Sequence, residues 1–411
     1  MLDSRIFSVA AREILDSRDN PTVETTVILN SGYRGTASVP AGASLGKYEA
    51  VELRDNDPQR YGGMGVLKAV GNVNNVIGPK LRDVDALNQG LIDKTMVDLD
   101  GTPDKHNLGA NSILSVSLAT AVAAAAHLRQ PLYAYLNKLF NAALPTPLAR
   151  MPTPTFNVIN GGKHGAGNLD FQEFHIIPAT NKPYHEALEM GVEIYDATRE
   201  ILIHRNAVHS VGDEGGFAPN LFTNLDAMEV LSEAIRTTRY RFGVDVFFGL
   251  DLAASNFKKE RGYLIKDRPG ALSRRDLIDY LKQLHKEYRL LILEDPLEED
   301  DWEGWKLITQ ELGSEVLIVG DDLLTTNRER LQRAIAEKTC SAILLKPNQI
   351  GTLSEFFAVT VLAKQNDIKC IVSHRSGETN DTFIADLAVA VQTEYVKFGA
   401  PAGGERVAKY N

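Results

Sequence analysis

Apolar and polar residues alternate over the first forty positions, which is the pattern of β-strands with one buried face. Residues 22–29 carry β-branched side chains at every second position, and residues 33–39 repeat the alternation. Between them, Asn30, Ser31 and Gly32 are residues that favour tight turns. The pattern therefore predicts a β-hairpin at the start of the chain.

The spacing of apolar residues becomes helical further along. From about residue 67 to residue 136, Ala, Leu and Val recur on repeating helical faces. Strands followed by helices are typical of a separate α+β unit. We predict such a domain at residues 1–140, ending near the proline-rich stretch 145–154.

The rest of the chain, residues 141–411, has a different rhythm. Short apolar runs recur, and each ends abruptly in a polar or charged residue, at intervals of 23 to 43 residues that have helical patterns between them. These residues are Asp251, Glu294, Asp321, Lys346, His374 and Lys397. Alternating strands and helices at this spacing predict βα units and a parallel sheet.

The number of strand-like segments favours a closed barrel. With 156–159 and 171–177 added, there are enough units for a (β/α)8-like TIM barrel, so the fold class is α/β with a smaller α+β domain in front. A doubly wound sheet is the rival, but the sequence has neither a GxGxxG nor a GxxxxGK[ST] motif after a strand. In a barrel, the polar residues that end the strands point into one site.

Charge and composition narrow the class of partner. Hydrophobic residues are 44% of the chain and charged residues 24%, which excludes disorder and fibrous repeats. With 44 Lys and Arg against 54 Asp and Glu, the net charge of −10 repels nucleic acid. A small anionic substrate stays possible if metal ions or a local basic cluster reverse the field where it binds.

The sequence carries only weak signals for secretion or for insertion in a membrane. The two cysteines, Cys340 and Cys370, are too few for a disulfide framework, which fits a reducing cytoplasm. The first residues are charged throughout, so we expect no signal peptide. The apolar stretch 114–128 is too short and polar to span a bilayer and predicts a buried helix instead.

Three of the strand-end residues are carboxylates that suit a hard metal ion. Asp251, Glu294 and Asp321 follow nearby strands and would repel one another strongly at one point unless a cation lay between them. Oxygen ligands without cysteine fit Mg²⁺. Each acid alone would more readily be a helix cap or an ion-pair partner, but three at successive strand ends favour a metal.

Two lysines at strand ends are candidate bases. Lys346 and Lys397 each end an apolar run, and an ammonium group held near another ammonium group and a divalent cation has a lowered pKa. A lysine with a lowered pKa can accept a proton. A solvated lysine at the barrel rim is the alternative for either position.

Three further segments carry polar residues beside glycines or a strand end. GGKHGAGNLDFQEF contains His164, Gln172 and Glu173, and VGDEGGF contains Glu214, which is either a general acid with a raised pKa or an exposed turn residue. SHRSGET joins His374, Arg375 and Ser376, where Arg and Ser suit a phosphate, although Arg375 alone could be a structural ion-pair residue.

Taken together, these segments resemble the enolase family over the whole chain. The similar stretches, in order, are DSRDNPTVE, GASLG, LGANSILSVSLA, NGGKH, FQEF, VGDEGGFAPN, LDLAAS, LEDP, GDDLLTTN, LLKPNQIGT, SHRSGET and ERVAKYN. The resemblance implies Mg²⁺-dependent, reversible dehydration of 2-phosphoglycerate to phosphoenolpyruvate in glycolysis and gluconeogenesis. A lysine base working with Mg²⁺ is the known pattern of that superfamily and is carried over from it.

The resemblance also implies a role for each matching metal and acid–base residue. Asp251, Glu294 and Asp321 would bind one Mg²⁺, and Ser44 would reach a second one when substrate is bound. Lys346 would remove the C2 proton, and Glu214, supported by Glu173, would help the C3 hydroxyl leave.

The remaining matches would hold the substrate, a small phosphorylated carboxylate. Lys397 would neutralise its carboxylate, Arg375 and Ser376 would bind its phosphate, and the pocket would be lined by His164, Gln172 and His374. The resemblance further implies a homodimer or a ring of dimers, no membrane span, and a cytoplasmic location with a secondary cell-surface or secreted pool.

The chain departs from the family pattern at a few positions. Ala41 and Leu45 stand where the loop motif usually has Ser and Thr, Asp19 replaces a glycine, and Lys163 replaces a small residue. The printed sequence ends at Asn411, before the short acidic helix usual in enolases. None of these positions carries a role assigned above.

Two other interpretations are weaker. Another proton-abstracting member of the superfamily would typically carry Lys-x-Lys on an early barrel strand, where this chain has Phe171-Gln172-Glu173-Phe174. A non-catalytic scaffold or binding protein would show erosion of the acids and lysines, and these residues are retained.

Overall fold

The first part of the chain is a three-stranded antiparallel sheet. The computed structural model describes residues 3–43, 46–165 and 167–411. Its first strands are β1 (Ile6–Leu15), β2 (Pro21–Leu29) and β3 (Arg34–Ser38), paired in that order. The β2–β3 pair turns through residues 30–33, with Ile28 opposite Arg34. The predicted hairpin is confirmed, and β1 extends it.

Helices follow this sheet and pack against it or against one another. They are α1 (Leu67–Asn72), α2 (Gly78–Leu81), α3 (Gln89–Asp100), α4 (Ala110–His127) and α5 (Leu132–Asn141), with a π-helical turn at Val73–Ile77 between α1 and α2. Among the described residues, α4 is the one helix long and apolar enough to cross a membrane, and it is mostly buried inside the protein. It is buried on nearly all sides because its many alanines let β2 and β3 approach closely.

Eight strands close into a barrel, which confirms the predicted fold class. Around the barrel they follow the order β10–β11–β12–β13–β4–β5–β6–β9. Their bounds are β4 (Thr153–Asn160), β5 (Glu173–Pro178), β6 (Val246–Asp251), β9 (Leu290–Glu294), β10 (Leu317–Gly320), β11 (Ala342–Leu345), β12 (Lys369–Ser373) and β13 (Tyr395–Lys397). A separate two-stranded ribbon consists of β7 (Lys258–Lys259) and β8 (Gly262–Tyr263).

Helices alternate with most of these strands, as the sequence pattern predicted. They are α6 (Tyr184–His204), α7 (Asn224–Thr237), α8 (Arg274–Tyr288), α9 (Trp302–Leu312), α10 (Arg328–Glu337), α11 (Pro347–Ile350), α12 (Leu353–Gln365), α13 (Phe383–Ala390) and α14 (Gly404–Tyr410). Side-chain caps begin several of them. Thr223 and Ser273, for example, form capping boxes at the starts of α7 and α8.

One strand breaks the parallel pattern. β5 runs antiparallel to both of its neighbours, β4 and β6. The described residues between β4 and β5 form no helix, so the chain returns directly, and two helices, α6 and α7, then lead to β6. The consequence is that β5 begins, rather than ends, at the edge where the parallel strands end, which brings Glu173 opposite Asp251.

The barrel interior is packed and forms the floor of this edge. Its apolar side chains alternate with outward-facing ones and come from six strands: Ile177, Ile292, Val319, Ala342, Leu344, Ile371 and Tyr395. A second and larger core lies between the barrel and its helices and continues into the first domain. Polar side chains at the strand ends therefore rest on a rigid apolar base.

The contact between β3 and α4 yields a stability prediction. A Cβ on Gly35 would collide with the backbone of Ala119 and Ala123 in α4. We expect Gly35→Ala to lower the free energy of unfolding by about 1–3 kcal/mol, because a backbone contact cannot rotate away. Thermal or urea unfolding measures this change.

Gly90 offers the matched control, since a Cβ there meets no atom of the described residues within 4 Å. Gly90 lies in α3, so Gly90→Ala should leave the free energy of unfolding unchanged or raise it by up to about 1 kcal/mol. Equal effects of the two substitutions would contradict the predicted collision.

Candidate active site

Most of the residues predicted for the site meet at the C-terminal edge of the barrel. A small pocket there is lined by His164, Gln172, Glu173, Glu214, Asp251, Asp321, Lys346, His374, Arg375, Ser376 and Lys397, together with Glu49, Asp322 and Ser373. Glu294 lies beside the pocket, within ion-pair distance of Lys397. Ser44 and Leu45 lie outside the described residues.

A larger cavity, of about 620 Å³, lies at the opposite end of the barrel. Strand-start residues such as Thr153, Leu317 and Tyr395 line it. Barrels carry their chemistry at the edge where the strands end, and the predicted residues converge there. We therefore take the smaller pocket as the site.

Lys397 is the centre of the charge cluster. Its Nζ lies 3.0 Å from Asp251 Oδ2, 2.8 Å from Glu294 Oε1 and 3.3 Å from Glu173 Oε1. Burial lowers the pKa of Lys397, but the three carboxylates outweigh burial and raise it well above its usual value. Lys397 is thus a fixed cation in this arrangement, which fits charge neutralisation better than proton abstraction.

Three carboxylates surround the single ammonium group of Lys397. Burial is the largest cause that raises the pKa of Asp251 and of Glu294, and neighbouring carboxylates add to the rise. Asp251 Oδ1 and Gln172 Oε1 are buried acceptor oxygens with no hydrogen-bond partner among the described residues. Unpartnered oxygens beside surplus negative charge fit a hard divalent cation.

Asp321 belongs to a second charge pair. Lys346 Nζ lies 2.5 Å from its Oδ2, and Gln349 donates a hydrogen bond to its Oδ1 at 3.2 Å. Burial is the largest influence and lowers the pKa of Lys346, whereas Asp321 and Glu294 raise it, and the net direction is upward. The predicted fall of the Lys346 pKa depends on a neighbouring divalent cation as well as on a second ammonium group, and it stays a prediction.

The predicted metal ligands do not form the tightest acidic group. Among the described residues, ligand atoms lie within 4.8 Å of one another in three groups: His164, Glu173 and Glu214; Asp295, Asp321 and Asp322; and Glu298, Glu299 and Asp300. Asp251 and Glu294 instead both form ion pairs with Lys397, whereas Asp321 forms an ion pair with Lys346. Acidic groups that could hold a metal ion are therefore present, in a partly different combination from the predicted one.

Glu214 lies between two histidines. His374 Nε2 is 3.1 Å from Glu214 Oε2, and His164 Nδ1 is 3.4 Å from Glu214 Oε1. His164 Nδ1 is also 3.2 Å from Glu173 Oε1, so the two acids share one histidine. Burial and Glu173 raise the pKa of Glu214, but His164 and His374 outweigh them and the net direction is downward. Of the two alternatives for Glu214, the exposed turn residue is wrong because the side chain is buried, and the direction of its pKa shift in this arrangement is opposite to the one that a general acid needs.

Arg375 and Ser376 lie on the other side of the pocket. Arg375 NH1 is 2.8 Å from Glu49 Oε2 and 3.2 Å from Asn348 Oδ1. Ser376 Oγ is 3.2 Å from His164 Nε2. Arg375, which is predicted to hold phosphate, thus forms an ion pair with Glu49, a residue of the glycine-rich loop that follows β3.

That loop is tied to the site at both ends. Ala41 exchanges two backbone hydrogen bonds of 2.8 Å with Gly377, and Ala50 donates to the carbonyl oxygen of Gln349 at 2.8 Å. Within it, Glu49 accepts a hydrogen bond from the Gly46 amide at 2.8 Å. The departure at Ala41 leaves its two hydrogen bonds with Gly377 in place because they involve only backbone atoms.

The other departures are accommodated simply. Asp19 has a left-handed backbone with a φ of 60°, which explains why a glycine suits this position and why Asp, which tolerates that region, can replace it. Lys163 is exposed to solvent beside the buried His164.

Several residues escaped the sequence reasoning, and Asp322 and Ser373 of the pocket lining are among them. His175 Nε2 lies 2.7 Å from Glu173 Oε2, and Glu49 contacts Arg375. Asp295 accepts the backbone amides of Asp321 and Asp322 at 3.0 and 2.8 Å. Arg406 contacts the segment around His374. Asp295 and Asp322 had a usable signal, since each directly follows a predicted carboxylate at a strand end.

Two family models match the chain and together cover most of it. The model described as "Enolase, N-terminal domain" matches residues 6–136, and the model described as "Enolase, C-terminal TIM barrel domain" matches residues 148–411. The second match alone exceeds half of the 411 residues. These matches confirm the resemblance drawn from the motifs, and the chain belongs to the enolase family.

Proposed function

We propose that this chain catalyses the reversible, Mg²⁺-dependent dehydration of 2-phosphoglycerate to phosphoenolpyruvate, as a carbon–oxygen lyase of glycolysis and gluconeogenesis. Membership of the family supports an enzyme of the enolase superfamily. The observation that carries the finer proposal is one pocket lined by a lysine, a histidine-flanked glutamate, a surplus of carboxylates and an Arg-Ser pair. Each group matches one part of a phosphorylated hydroxy acid.

The proposal assigns the metal to the carboxylates. Asp251, Glu294 and Asp321 would hold one Mg²⁺, and Ser44 would reach a second in the presence of substrate. When bound, Mg²⁺ would supply positive charge for a substrate dianion and would neutralise the Asp321 carboxylate that otherwise raises the pKa of Lys346.

Lys346 and Glu214 would divide the proton transfers. Lys346 would take the C2 proton as general base, and Glu214 would give a proton to the departing C3 hydroxyl, which leaves as water. A phosphorylated carboxylate brings negative charge next to Glu214 and so raises its pKa toward the protonated form. Glu173, which shares His164 with Glu214, would support that residue.

The other residues would orient the substrate. Lys397 would face the substrate carboxylate, which becomes doubly charged when the C2 proton leaves. Arg375 and Ser376 would bind the phosphate, which would compete with Glu49 for the guanidinium group. The pocket wall would be completed by His164, Gln172 and His374.

We also propose a cytoplasmic location and assembly as a homodimer or a ring of dimers, in keeping with the family. The two cysteines, Cys340 and Cys370, are free and buried, which suits a reducing compartment.

Activity with 2-phosphoglycerate tests the proposal directly. We expect formation of phosphoenolpyruvate, followed by its ultraviolet absorbance, with Mg²⁺ and none after chelation. Asp251→Asn should weaken Mg²⁺ binding, measured by calorimetry, by more than about tenfold, because even outer-shell partners of a metal are worth 10–100-fold.

The control is Asp367→Asn, at an exposed position in the loop after α12. It should bind Mg²⁺ and turn over substrate like the unchanged chain. Well-folded protein that converts no 2-phosphoglycerate in Mg²⁺ would refute the proposed function.

Proton exchange at C2 separates the base from the acid. Lys346→Ala should slow the exchange of the C2 proton with deuterated solvent by about 10²–10⁴-fold, the usual value of a positioned base. Mg²⁺ binding should persist, since the substitution removes a cation beside Asp321.

Lys369→Ala is the matched control, because Lys369 is exposed at the start of β12, at the opposite end of the barrel. It should leave exchange unchanged. Exchange that survives in Lys346→Ala would assign the base to another residue.

A further inference from the structure

Arg406 in α14 is a wholly buried cation that the mechanism above does not use. Its side chain is 0% exposed. NH1 lies 2.6 Å from His374 Nδ1 and 2.7 Å from the carbonyl oxygen of Arg375. NH2 lies 2.6 Å from the carbonyl oxygen of Ser376 and 3.0 Å from that of Asp213. The guanidinium group of Arg406 therefore contacts both the segment that carries Glu214 and the segment that carries His374.

The chemistry of these contacts fixes the proton on His374. A guanidinium group has only donors and stays protonated in proteins. Its partner Nδ1 must accept, so Nδ1 carries no hydrogen. The hydrogen of the neutral ring then lies on Nε2, which faces Glu214 Oε2 at 3.1 Å. His374 is thus a donor toward Glu214.

We propose that Arg406 is a positioning residue that holds His374 as the neutral Nε2–H tautomer and prevents its protonation at Nδ1. The tautomer follows from the contacts alone, whereas its use in catalysis rests on the proposed function, in which Glu214 is the acid.

The neutral state of His374 has a consequence for Glu214. Burial lowers the pKa of His374 to about 4; Glu214 and Glu173 oppose that shift, and Arg406 adds to it. A neutral ring stabilises the Glu214 carboxylate less than an imidazolium would, so Glu214 stays easier to protonate. After Glu214 has given its proton to the leaving hydroxyl, the Nε2–H group donates to the carboxylate that remains. No proton passes to or from His374.

A purely structural role for Arg406 is the competing explanation, in which it only anchors α14. Lys409 supplies the matched control because it lies on the same helix and is equally buried. Its Nζ contacts the carbonyl oxygens of Thr379 and Glu405 and lies 2.8 Å from Glu378 Oε2, and its described partners do not include His374.

The test is nitrogen NMR of histidine-labelled protein, with the His374 signal among the nine histidines identified by its loss in His374→Gln. We expect the unchanged chain to show the Nε2–H tautomer from about pH 5 to about pH 9. In Arg406→Met, Nδ1 no longer faces a cation, so the pKa of His374 should rise and an imidazolium signal should appear below neutral pH. Lys409→Met should keep the original tautomer.

Kinetics supply the second measurement. Arg406→Met should lose at least about tenfold in dehydration, by analogy with wrong-tautomer losses at other acid–base sites. The loss should be larger at low pH, where the imidazolium holds Glu214 ionised. Exchange of the C2 proton, which depends on Lys346, should change little.

Several results would overturn the inference: an Nδ1–H tautomer in the unchanged chain, an unaltered His374 signal in Arg406→Met, or the same alteration in Lys409→Met. If Arg406→Met does not fold, Arg406→Lys is measured instead, since it keeps the charge but has fewer donors. NMR decides the tautomer even if 2-phosphoglycerate is not a substrate. If the unchanged chain is active and the His374 signal does not change in Arg406→Met, the proposed function is retained and only the role of Arg406 is rejected.

Discussion

The surplus of buried negative charge around Lys397 is the constraint on which the site depends. One ammonium group faces Asp251, Glu294 and Glu173 within 3.3 Å, so three ionised carboxylates would exceed the charge of Lys397 by two. Unit charges 4 Å apart interact by about 4 kcal/mol at the effective dielectric of a protein surface, and by more when they are buried. Raised pKa values or a bound cation would relieve this repulsion, and the proposed anionic substrate would need such a cation in the pocket.

The fold brings these charges together at little conformational cost. Parallel strands end at one edge, and the antiparallel β5 delivers Glu173 to the same edge by starting there. The packed interior of the barrel holds the strand ends rigidly, so the side chains need no further ordering when a ligand arrives. Backbone contacts add to this rigidity: Asp295 accepts the amides of Asp321 and Asp322, and Arg406 donates to three carbonyl groups.

Opposite charges across the pocket set the directions of the pKa shifts. Lys346 and Arg375 each lie against a carboxylate, Asp321 and Glu49, and both keep their charge. Reasoning from neighbouring cations predicts a lowered Lys346 pKa, whereas the folded arrangement adds the opposing effect of Asp321, because the sequence shows which residues share a strand end and not which of them touch. The net direction depends on the sum of burial and of the charges around each group.

Local pattern determined much of this protein. The β2–β3 hairpin, the α/β barrel and the placement of Asp251, Glu294, Asp321, Lys346, His374 and Lys397 at strand ends all follow from periodicity, since that pattern depends on which face of each strand is buried. Tertiary structure alone decided the direction of β5, the pairing of Arg375 with Glu49 and the contact of Arg406 with His374. These join residues up to 326 positions apart, and they arise from packing that no local spacing encodes.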